Sequence, residues 1–410
     1  MITTINNKHN KLNVPNLRFP EFQGEWEELG LSELLDFKNG LNPKPDKFGK
    51  GIKFISVMDI LNNAVITYDC IKASVDVTEK ELSDFSVEKG DILFQRSSET
   101  LEDVGRANVY MDDKTAVFGG FVIRGKKKGE YDPQYFNYLL RSPFARKRII
   151  PMGAGAQHFN IGQEGLSKVK LHFANIEEQK KIGKMLSLLD ERIATQNKII
   201  EDLKKLKSAI SKYLFARKDL LETTICLSNI ATLKNGYAFQ SGKYNAMGKW
   251  KILTITNVPG ERYINDEDCN CMINLPDDIQ DHQVLKEGDI LISLTGNVGR
   301  VSLCKSGAYL LNQRVGLLQI EGNIDKEFLY QVLSSRRFEN SMVACGQGAA
   351  QMNIGKGDVE NFVLPYSSNA NNIHLVARIL HSYDECIINE LRELTLLTMQ
   401  KQYFLAQMFI

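Results

Sequence analysis

Gly90-Asp91-Ile92-Leu93 occurs a second time in the chain, 198 residues later, as Gly288-Asp289-Ile290-Leu291. Three more stretches return in the same order at displacements of 193 to 196 residues. They are Leu31-Ser32-Glu33-Leu34 with Leu227-Ser228-Asn229-Ile230, Val104-Gly105-Arg106 with Val298-Gly299-Arg300, and Asn160-Ile161-Gly162 with Asn353-Ile354-Gly355. Ordered self-similarity of this kind indicates an internal duplication. The chain therefore contains two copies of one structural unit.

The first part of each copy, about 150 residues, is rich in short β-type segments separated by glycine turns. The predicted strands include 53–57, 91–94 and 116–123 in the first copy, and 250–255 and 315–320 in the second. This pattern predicts a mixed globular domain with a substantial sheet.

The second part of each copy is predicted to be a long helix. From Ile176 to Arg217 there is no proline and only one glycine, and apolar residues follow a 4-3 spacing that is typical of a coiled coil. The predicted seam residues are Ile182, Leu186, Leu189, Ile193, Ile200, Leu203, Ile210 and Leu214 in the first helix, and Val376, Leu380, Tyr383, Ile387, Leu394, Leu397, Phe404 and Met408 in the second. Both seams are interrupted by polar residues at the same two places, Gln196 and Lys207 in one and Glu390 and Lys401 in the other.

Helices with matching seams are expected to pair with each other. Because the intervening domain must return the chain to its start, the pairing is expected to be antiparallel. The predicted fold class is α+β: two β-rich globular domains in a pseudo-two-fold repeat, separated by two long helices that form an antiparallel coiled coil. The expected boundaries are 1–175 and 218–370 for the globular domains, and 176–217 and 371–410 for the helices.

Composition indicates a soluble globular protein, since 43% of the 410 residues are hydrophobic and 25% are charged. The sequence has no apolar run long enough for a transmembrane helix and no signal peptide, so a cytoplasmic location without membrane attachment is expected. The seven cysteines are scattered, as is typical of reduced thiols. Cys269 and Cys271 alone do not make a metal site, and no metal is expected.

Charge is uneven along a chain whose net charge is +1. Residues 1–217 hold 34 Lys and Arg against 29 Asp and Glu, whereas the remainder holds 17 against 21. A protein that gripped DNA alone by neutralising phosphates would be more basic. If DNA is the ligand, other chains are expected to supply many of the phosphate contacts.

With these features in view, the sequence resembles the specificity subunit of a type I restriction-modification enzyme. The most specific stretches are the start of the first helix, Ile176-Glu177-Glu178-Gln179-Lys180-Lys181-Ile182, and its continuation Leu188-Leu189-Asp190-Glu191-Arg192-Ile193. Leu17-Arg18-Phe19-Pro20-Glu21-Phe22 with Trp26 is also typical. The second helix departs from the pattern, because Asn371-Asn372-Ile373-His374 stands where an acidic-Gln-Lys sequence is expected.

The resemblance implies two target-recognition domains, each reading one half of a bipartite site in double-stranded DNA. It implies that the helices bind two adenine-N6 methyltransferase subunits, and that a restriction and translocase subunit joins that core. The chain itself is then not an enzyme and has no cofactor, since S-adenosylmethionine, ATP and Mg²⁺ belong to partner subunits. From Ile182 to Leu214 the first helix would span ~48 Å at ~1.5 Å per residue, or about 14 base pairs, so that spacing becomes part of the specificity.

Base reading requires exposed loops with paired donors and acceptors. The first candidate loop follows the Gly90-Asp91-Ile92-Leu93 strand and contains Gln95, Arg96, Ser97, Ser98 and Arg106; its counterpart contains Ser293, Thr295, Asn297 and Arg300. The second candidate loop contains Gln157, His158 and Asn160, with Gln347, Gln351 and Asn353 as counterparts. A third cluster is Asn312, Gln313 and Arg314. The alternative for each loop is a solvated turn, and Arg106 and Arg300 could be structural because identical residues cannot distinguish two half-sites.

Two other functions compete with this interpretation. Asp132-Pro133-Gln134-Tyr135 resembles the Asp-Pro-Pro-Tyr of adenine methyltransferases, but its counterpart Asp325-Lys326-Glu327-Phe328 is unlike it, and Asp as N-cap with Pro at the first helical position explains it without chemistry. A stand-alone DNA-binding protein would need no methyltransferase partner, and the near-neutral charge argues against it. No phosphate-binding loop, metal-ligand spacing or nucleophile elbow occurs in the sequence.

Overall fold

The computed structural model of the chain describes residues 3–4, 13–346 and 352–410. The chain divides into two compact units. Unit 1 comprises residues 1–197 and 393–410, and unit 2 comprises residues 198–392. Each unit therefore contains one β-rich domain together with a segment of each long helix.

The β-rich domain of unit 1 has two four-stranded sheets. Sheet I is antiparallel throughout, in the order Ala107–Val109, Ile92–Gln95, Val122–Lys127 and Leu35–Asn39. Sheet II has a parallel central pair, in the order Ser74–Val75, Phe48–Ile55, Ala116–Phe118 and Ser86–Val87. Short antiparallel pairs join Thr3–Thr4 to Leu17–Arg18, Glu27–Gly30 to Lys170–Phe173, and Ser97–Ser98 to Phe159–Asn160.

Unit 2 repeats the topology of both four-stranded sheets. Its sheet I has the order Val301–Leu303, Ile290–Ser293, Val315–Ile320 and Ala231–Asn235. Its sheet II, again with a parallel central pair, has the order Asn270–Met272, Trp250–Leu253, Tyr309–Leu311 and Val284–Leu285. Thr223–Cys226 pairs with Val363–Tyr366. The predicted duplication and the α+β class are confirmed.

The repeated Gly-Asp-Ile-Leu stretch forms a strand that is buried on both faces. Ile92 and Phe94 lie in the core that also contains the helical residue Leu186, whereas Leu93 points into the second core beside Phe118. Side chains of a strand alternate between faces, so a continuous apolar run is expected where both faces are covered. The carboxylate of Asp91 closes the preceding turn by accepting the N–H groups of Glu88 and Lys127, both at 3.0 Å.

Short helices cover sheet I in both units. In unit 1 the helix Pro133–Arg141 is capped by Asp132, whose Oδ1 accepts the N–H of Tyr135 at 2.8 Å. In unit 2 the helix Lys326–Leu333 is capped by Asp325 in the same way, also at 2.8 Å. The other short α-helices among the described residues are Leu31–Leu34, Val57–Asn62, Glu79–Phe85, Pro143–Ile149 and Gln163–Ser167 in unit 1, and Arg336–Cys345 and Lys356–Glu360 in unit 2.

The first long helix runs from Ile176 to Ala216 and the second from Ala370 to Gln407. All predicted seam residues are buried or half-buried. In unit 1 the helices run antiparallel, because Asp190 binds Lys401 at 2.5 Å and Arg192 binds Glu393 at 2.7 Å. The predicted antiparallel pairing is thus confirmed in this unit.

Two of the polar seam positions hold partly buried ion pairs that are related by the repeat. In unit 1 Lys401 pairs with Asp190, and in unit 2 Lys207 pairs with Asp384 at 2.6 Å. Both members of the second pair lie 194 residues from their counterparts in the first. The interruptions at Lys207 and Lys401 are therefore equivalent structural contacts in the two copies.

The helix starts differ between the copies, as their sequences do. In unit 1 Glu178 is fully buried and binds Arg18 through two hydrogen bonds of 2.8 Å, while Gln179 accepts the N–H of Asp132 at 2.9 Å. In unit 2 His374 contacts the carboxylate of Asp325 at 3.2 Å instead. The start of each long helix thus contacts the domain of its own unit in both copies, but through different residues.

Each domain core encloses the end of a long helix. In unit 1 Met408 and Phe409 are buried beside Trp26, with ring centroids of Trp26 and Phe409 6.4 Å apart. In unit 2 Leu214 is buried in the equivalent core. Within the described residues, none of the helices combines the length and apolar character needed to span a bilayer.

Candidate nucleic-acid interface

Two of the predicted loops of unit 1 lie side by side. Ser97–Ser98 pairs antiparallel with Phe159–Asn160, and the Ser97 hydroxyl donates to the side-chain oxygen of Asn160. The N–H of Ile161 donates to the carbonyl of Arg96 at 2.9 Å. The structure therefore brings the first and second candidate loops into one surface.

A third loop, residues 119–121, joins this surface. The N–H of Arg96 donates to the carbonyl of Phe121 at 2.9 Å, and the Arg96 guanidinium donates to the carbonyl of Gly120 at 3.3 Å. We call residues 96–98, 119–121 and 157–160 the rim of unit 1. Phe121 is not among the polar residues predicted from the sequence, yet it is 69% exposed.

Unit 2 has an equivalent rim, formed by residues 294–297, 312–314 and 352–353. Thr295 forms an isolated antiparallel β-bridge with Asn353, and the N–H of Gly296 donates to the carbonyl of Met352 at 2.9 Å. The N–H of Leu294 donates to the carbonyl of Arg314 at 3.0 Å. The three predicted clusters of unit 2 thus meet as their counterparts do.

The predicted DNA-binding residues differ in exposure. Those that are exposed are Arg106, Gln157, His158, Asn160, Asn297, Gln313, Arg314 and Asn353. Those that are half-buried are Arg96, Ser97, Ser98, Thr295, Arg300 and Asn312. Gln347 and Gln351 lie outside the described residues.

Two of the predicted residues are buried, so their side chains are not available for base reading. Gln95 is 5% exposed, and its amide donates to the carbonyl of Ser97 at 2.9 Å. Ser293 is 0% exposed, and its hydroxyl donates to the carbonyl of Thr295 at 3.3 Å. Both end the doubly buried central strand, so their side chains hold the shape of the loop that follows.

The identical arginines of the two loops are both held by acidic groups. Arg106 binds Asp103 at 2.6 Å, and Arg300 lies 3.9 Å from Glu339. Each follows a glycine with positive φ, Gly105 at 67° and Gly299 at 76°, a conformation that favours glycine. These contacts support a role in loop structure for both arginines.

A cleft of about 390 Å³ in unit 1 has a positively charged lining. Arg106, Arg141 and Arg146 line it, with Glu102 as the acidic group in its wall. Burial, followed by the charge of Arg106, lowers the pKa of Arg146 to about 10, so the side chain stays protonated at neutral pH. In unit 2 the position of Arg146 is occupied by Glu339. The repeat is therefore asymmetric in charge at this place.

The segment that resembles a methyltransferase motif is part of the fold. Tyr135 is 0% exposed and lies in the core, while Asp132 serves as the helix cap described above. Among the described residues, no group of three or more His, Cys, Asp or Glu side chains is placed to hold a metal. Cys269 and Cys271 are free thiols in and beside a strand of sheet II.

Comparison with known proteins identifies the family. The model of the type I restriction modification DNA specificity domain matches the chain twice, at residues 23–205 and 222–398. The putative type I restriction enzyme MjaX specificity subunit of Methanocaldococcus jannaschii is 24% identical over 373 residues, which cover 86% of this chain and 85% of that protein. The MjaVIII specificity subunit of the same organism is 26% identical over 376 residues, which cover 85% and 83%.

Solved structures share the fold. The type I restriction-modification S subunit from M. genitalium is 18% identical, with a TM-score of 0.57 and coverage of 97% of this chain and 99% of that one. A chain from a study of assembly and conformational transition of the type I R-M system is 14% identical, with a TM-score of 0.55 and coverage of 93% and 96%. Because the family model covers most of the chain, in the two copies that the sheets show, the chain belongs to the type I restriction-modification DNA specificity family and is a non-catalytic specificity subunit.

Proposed function

We propose that each unit reads one half of a bipartite DNA target through its rim, and that the chain thereby directs adenine-N6 methylation and restriction by partner subunits. The observation that carries this proposal is the pair of rims. They are built on equivalent turns and backbone hydrogen bonds, yet they present different side chains. Two different half-sites can be read by one backbone scaffold if it carries different side chains in the two units.

The exposed side chains have the chemistry of base readout. The rim of unit 1 presents the amides and imidazole of Gln157, His158 and Asn160, and the rim of unit 2 presents Asn297 and Arg314. Asn and Gln can pair with adenine, and Arg pairs with guanine, through paired hydrogen bonds in the major groove. The arginine-lined cleft of unit 1 supplies positive charge suited to a phosphate.

Two methyltransferase subunits are the proposed partners of the long helices. Large apolar side chains remain exposed on the helices although the seams are buried. They are Leu188, Leu396, Met399 and Tyr403 in unit 1, and Ile199, Leu206, Tyr213 and Leu375 in unit 2. Exposed apolar surface of this kind is typical of protein-protein contacts, and partner subunits would also supply the phosphate contacts that a net charge of +1 cannot.

The chemistry belongs to those partners in this proposal. S-adenosylmethionine would bind the methyltransferase subunits, and ATP and Mg²⁺ would bind the restriction and translocase subunits. The chain would act on cellular DNA in the cytoplasm, and its contribution is recognition and placement.

Methylation mapping tests the proposed function. The chain is expressed with and without a cognate methyltransferase subunit, and N6-methyladenine is located across the host DNA by single-molecule sequencing. We expect a split motif with a fixed gap only when both chains are present. Methylation by this chain alone would contradict the assignment, and sequence-specific binding that recruits no methyltransferase would favour a stand-alone DNA-binding protein.

A further inference from the structure

The turn that leads from sheet II to sheet I has the same geometry in both units. In the turn 119–122 the last N–H donates to the first carbonyl at 2.8 Å, and in the turn 312–315 the equivalent bond is 2.9 Å. Phe121 and Arg314 are the third residues of these two turns. They therefore occupy structurally equivalent positions, 193 residues apart.

Both positions are attached to the neighbouring reading loop by one backbone hydrogen bond. The carbonyl of Phe121 accepts the N–H of Arg96 at 2.9 Å, and the carbonyl of Arg314 accepts the N–H of Leu294 at 3.0 Å. Each side chain thus leaves its rim at the point where two loops join. A side chain at such a point has its base held by the scaffold and its tip free to contact a ligand.

The turn that carries Phe121 is closely packed. A Cβ atom at Gly119 would lie 2.6 Å from the ring of Phe54, and one at Gly120 would overlap the side chain of Asn42. The two glycines thus let the turn pack closely against the side chains of Phe54 and Asn42. Phe121 itself is nevertheless 69% exposed.

The chemistry at the matched position differs completely. Phe121 offers an apolar ring, whereas Arg314 is exposed and offers a guanidinium. In the major groove, apolar side chains contact the C5-methyl group of thymine, and arginine pairs with O6 and N7 of guanine. Arg106 and Arg300 provide the contrast, since they are identical and both paired with acids.

We propose that Phe121 and Arg314 are specificity-determining residues at one shared position, with Phe121 reading an A·T pair through the thymine methyl and Arg314 reading a guanine. The inference rests on the proposed function, because it presumes that the rims face DNA. It goes further by assigning a kind of base pair to each rim.

Base analogues that lack a single group test the proposal directly. Once mapping gives the two half-sites, the complex of the chain with its methyltransferase subunit is titrated with duplexes in which each thymine in turn is replaced by uracil, which lacks only the methyl group. We expect one replacement to weaken binding about fourfold, the effect of one buried methyl. In Phe121→Ala that replacement should have no effect.

The same scan is made for guanine with 7-deazaguanine, which lacks the N7 acceptor. One replacement, in the other half-site, should weaken binding on the order of tenfold, and Arg314→Ala should abolish this sensitivity. Met58→Ala is the matched control, since Met58 is 60% exposed in unit 1 but lies on the helix Val57–Asn62, outside the rim. It should keep the full response to uracil.

The possible outcomes distinguish failure of the proposed function from failure of either base assignment. A wild-type complex that methylates no split motif contradicts the proposed function. A split motif combined with a flat uracil scan, or with a scan that Phe121→Ala leaves unchanged, overturns the assignment of Phe121 alone. A guanine scan that Arg314→Ala leaves unchanged does the same for Arg314.

Discussion

Asp384 gathers three side chains in the interior of unit 2. Its carboxylate accepts from Lys207 at 2.6 Å, from Arg262 at 3.0 Å and from Gln331 at 2.6 Å, and its side chain is 7% exposed. Asp190 holds the equivalent place in unit 1. Removing a carboxylate so enclosed leaves Lys207, which is 18% exposed, without its ion-pair partner.

Replacing this carboxylate should be costly. Asp384→Ala is expected to lower the free energy of unfolding by about 3–5 kcal/mol, because Lys207 loses its buried partner. Guanidinium denaturation measures the change. Asp69→Ala is the control, since Asp69 is 89% exposed and its ion pair with Lys114 is long, at 3.9 Å. This substitution should lower the free energy of unfolding by less than about 1 kcal/mol. Equal losses in the two variants would show that the buried pair contributes no more than a surface contact.

Residue by residue, the sequence identifies loops better than it identifies contacts. Gln95 and Ser293 are polar and follow an apolar run, which favours exposure, yet both are buried because the strand they end is covered on both faces. Phe121 is apolar and is exposed. Polarity is a property of the residue itself, whereas exposure depends on which elements pack against that position. The exposure of these three side chains could therefore be determined only from the structure.

At the scale of the element, the long helices were the most predictable part. The 4-3 spacing of apolar residues can be recognised within a single helix. The seam could therefore be predicted without knowing which helix pairs with it. The partners of the polar seam residues could not be identified, because the match of Lys207 to Asp384 depends on the register between two distant segments. The same limit applies to Glu178, whose contact with Arg18 crosses 160 residues.

Shortening both helices together should change the spacing of the target. Deleting residues 194–200 and 388–394 removes one heptad from each helix and keeps the seam in phase, since the two segments are related by the 194-residue repeat. Seven residues rise about 10 Å along a helix, which corresponds to about three base pairs.

Methylation mapping of this double deletion should therefore show both half-sites unchanged and the gap shorter by about three base pairs. Deletion of the first segment alone is the control, and it should abolish methylation because the seams no longer match. An unchanged gap in the double deletion would exclude the helices as the determinant of spacing.

At the scale of the whole molecule, duplication divides recognition into separable parts. If each unit reads its own half-site, replacing residues 218–370 by the equivalent residues of a relative with a different target should exchange one half of the motif and keep the other. Methylation mapping of the hybrid with the same methyltransferase subunit measures this. A hybrid in which both halves change would show that the units do not read independently, and the reciprocal exchange of residues 1–175 serves as its control.

The burial of Met408 and Phe409 in unit 1 sets an order of events during synthesis. The other buried residues of the core around Trp26 lie between 17 and 186, so translation must continue for more than 200 residues before that core can close. At ~5–20 residues per second this delay lasts roughly 10 to 45 s. The unit that leaves the ribosome first is the last to be completed, and its apolar surface must be kept from aggregation for that time.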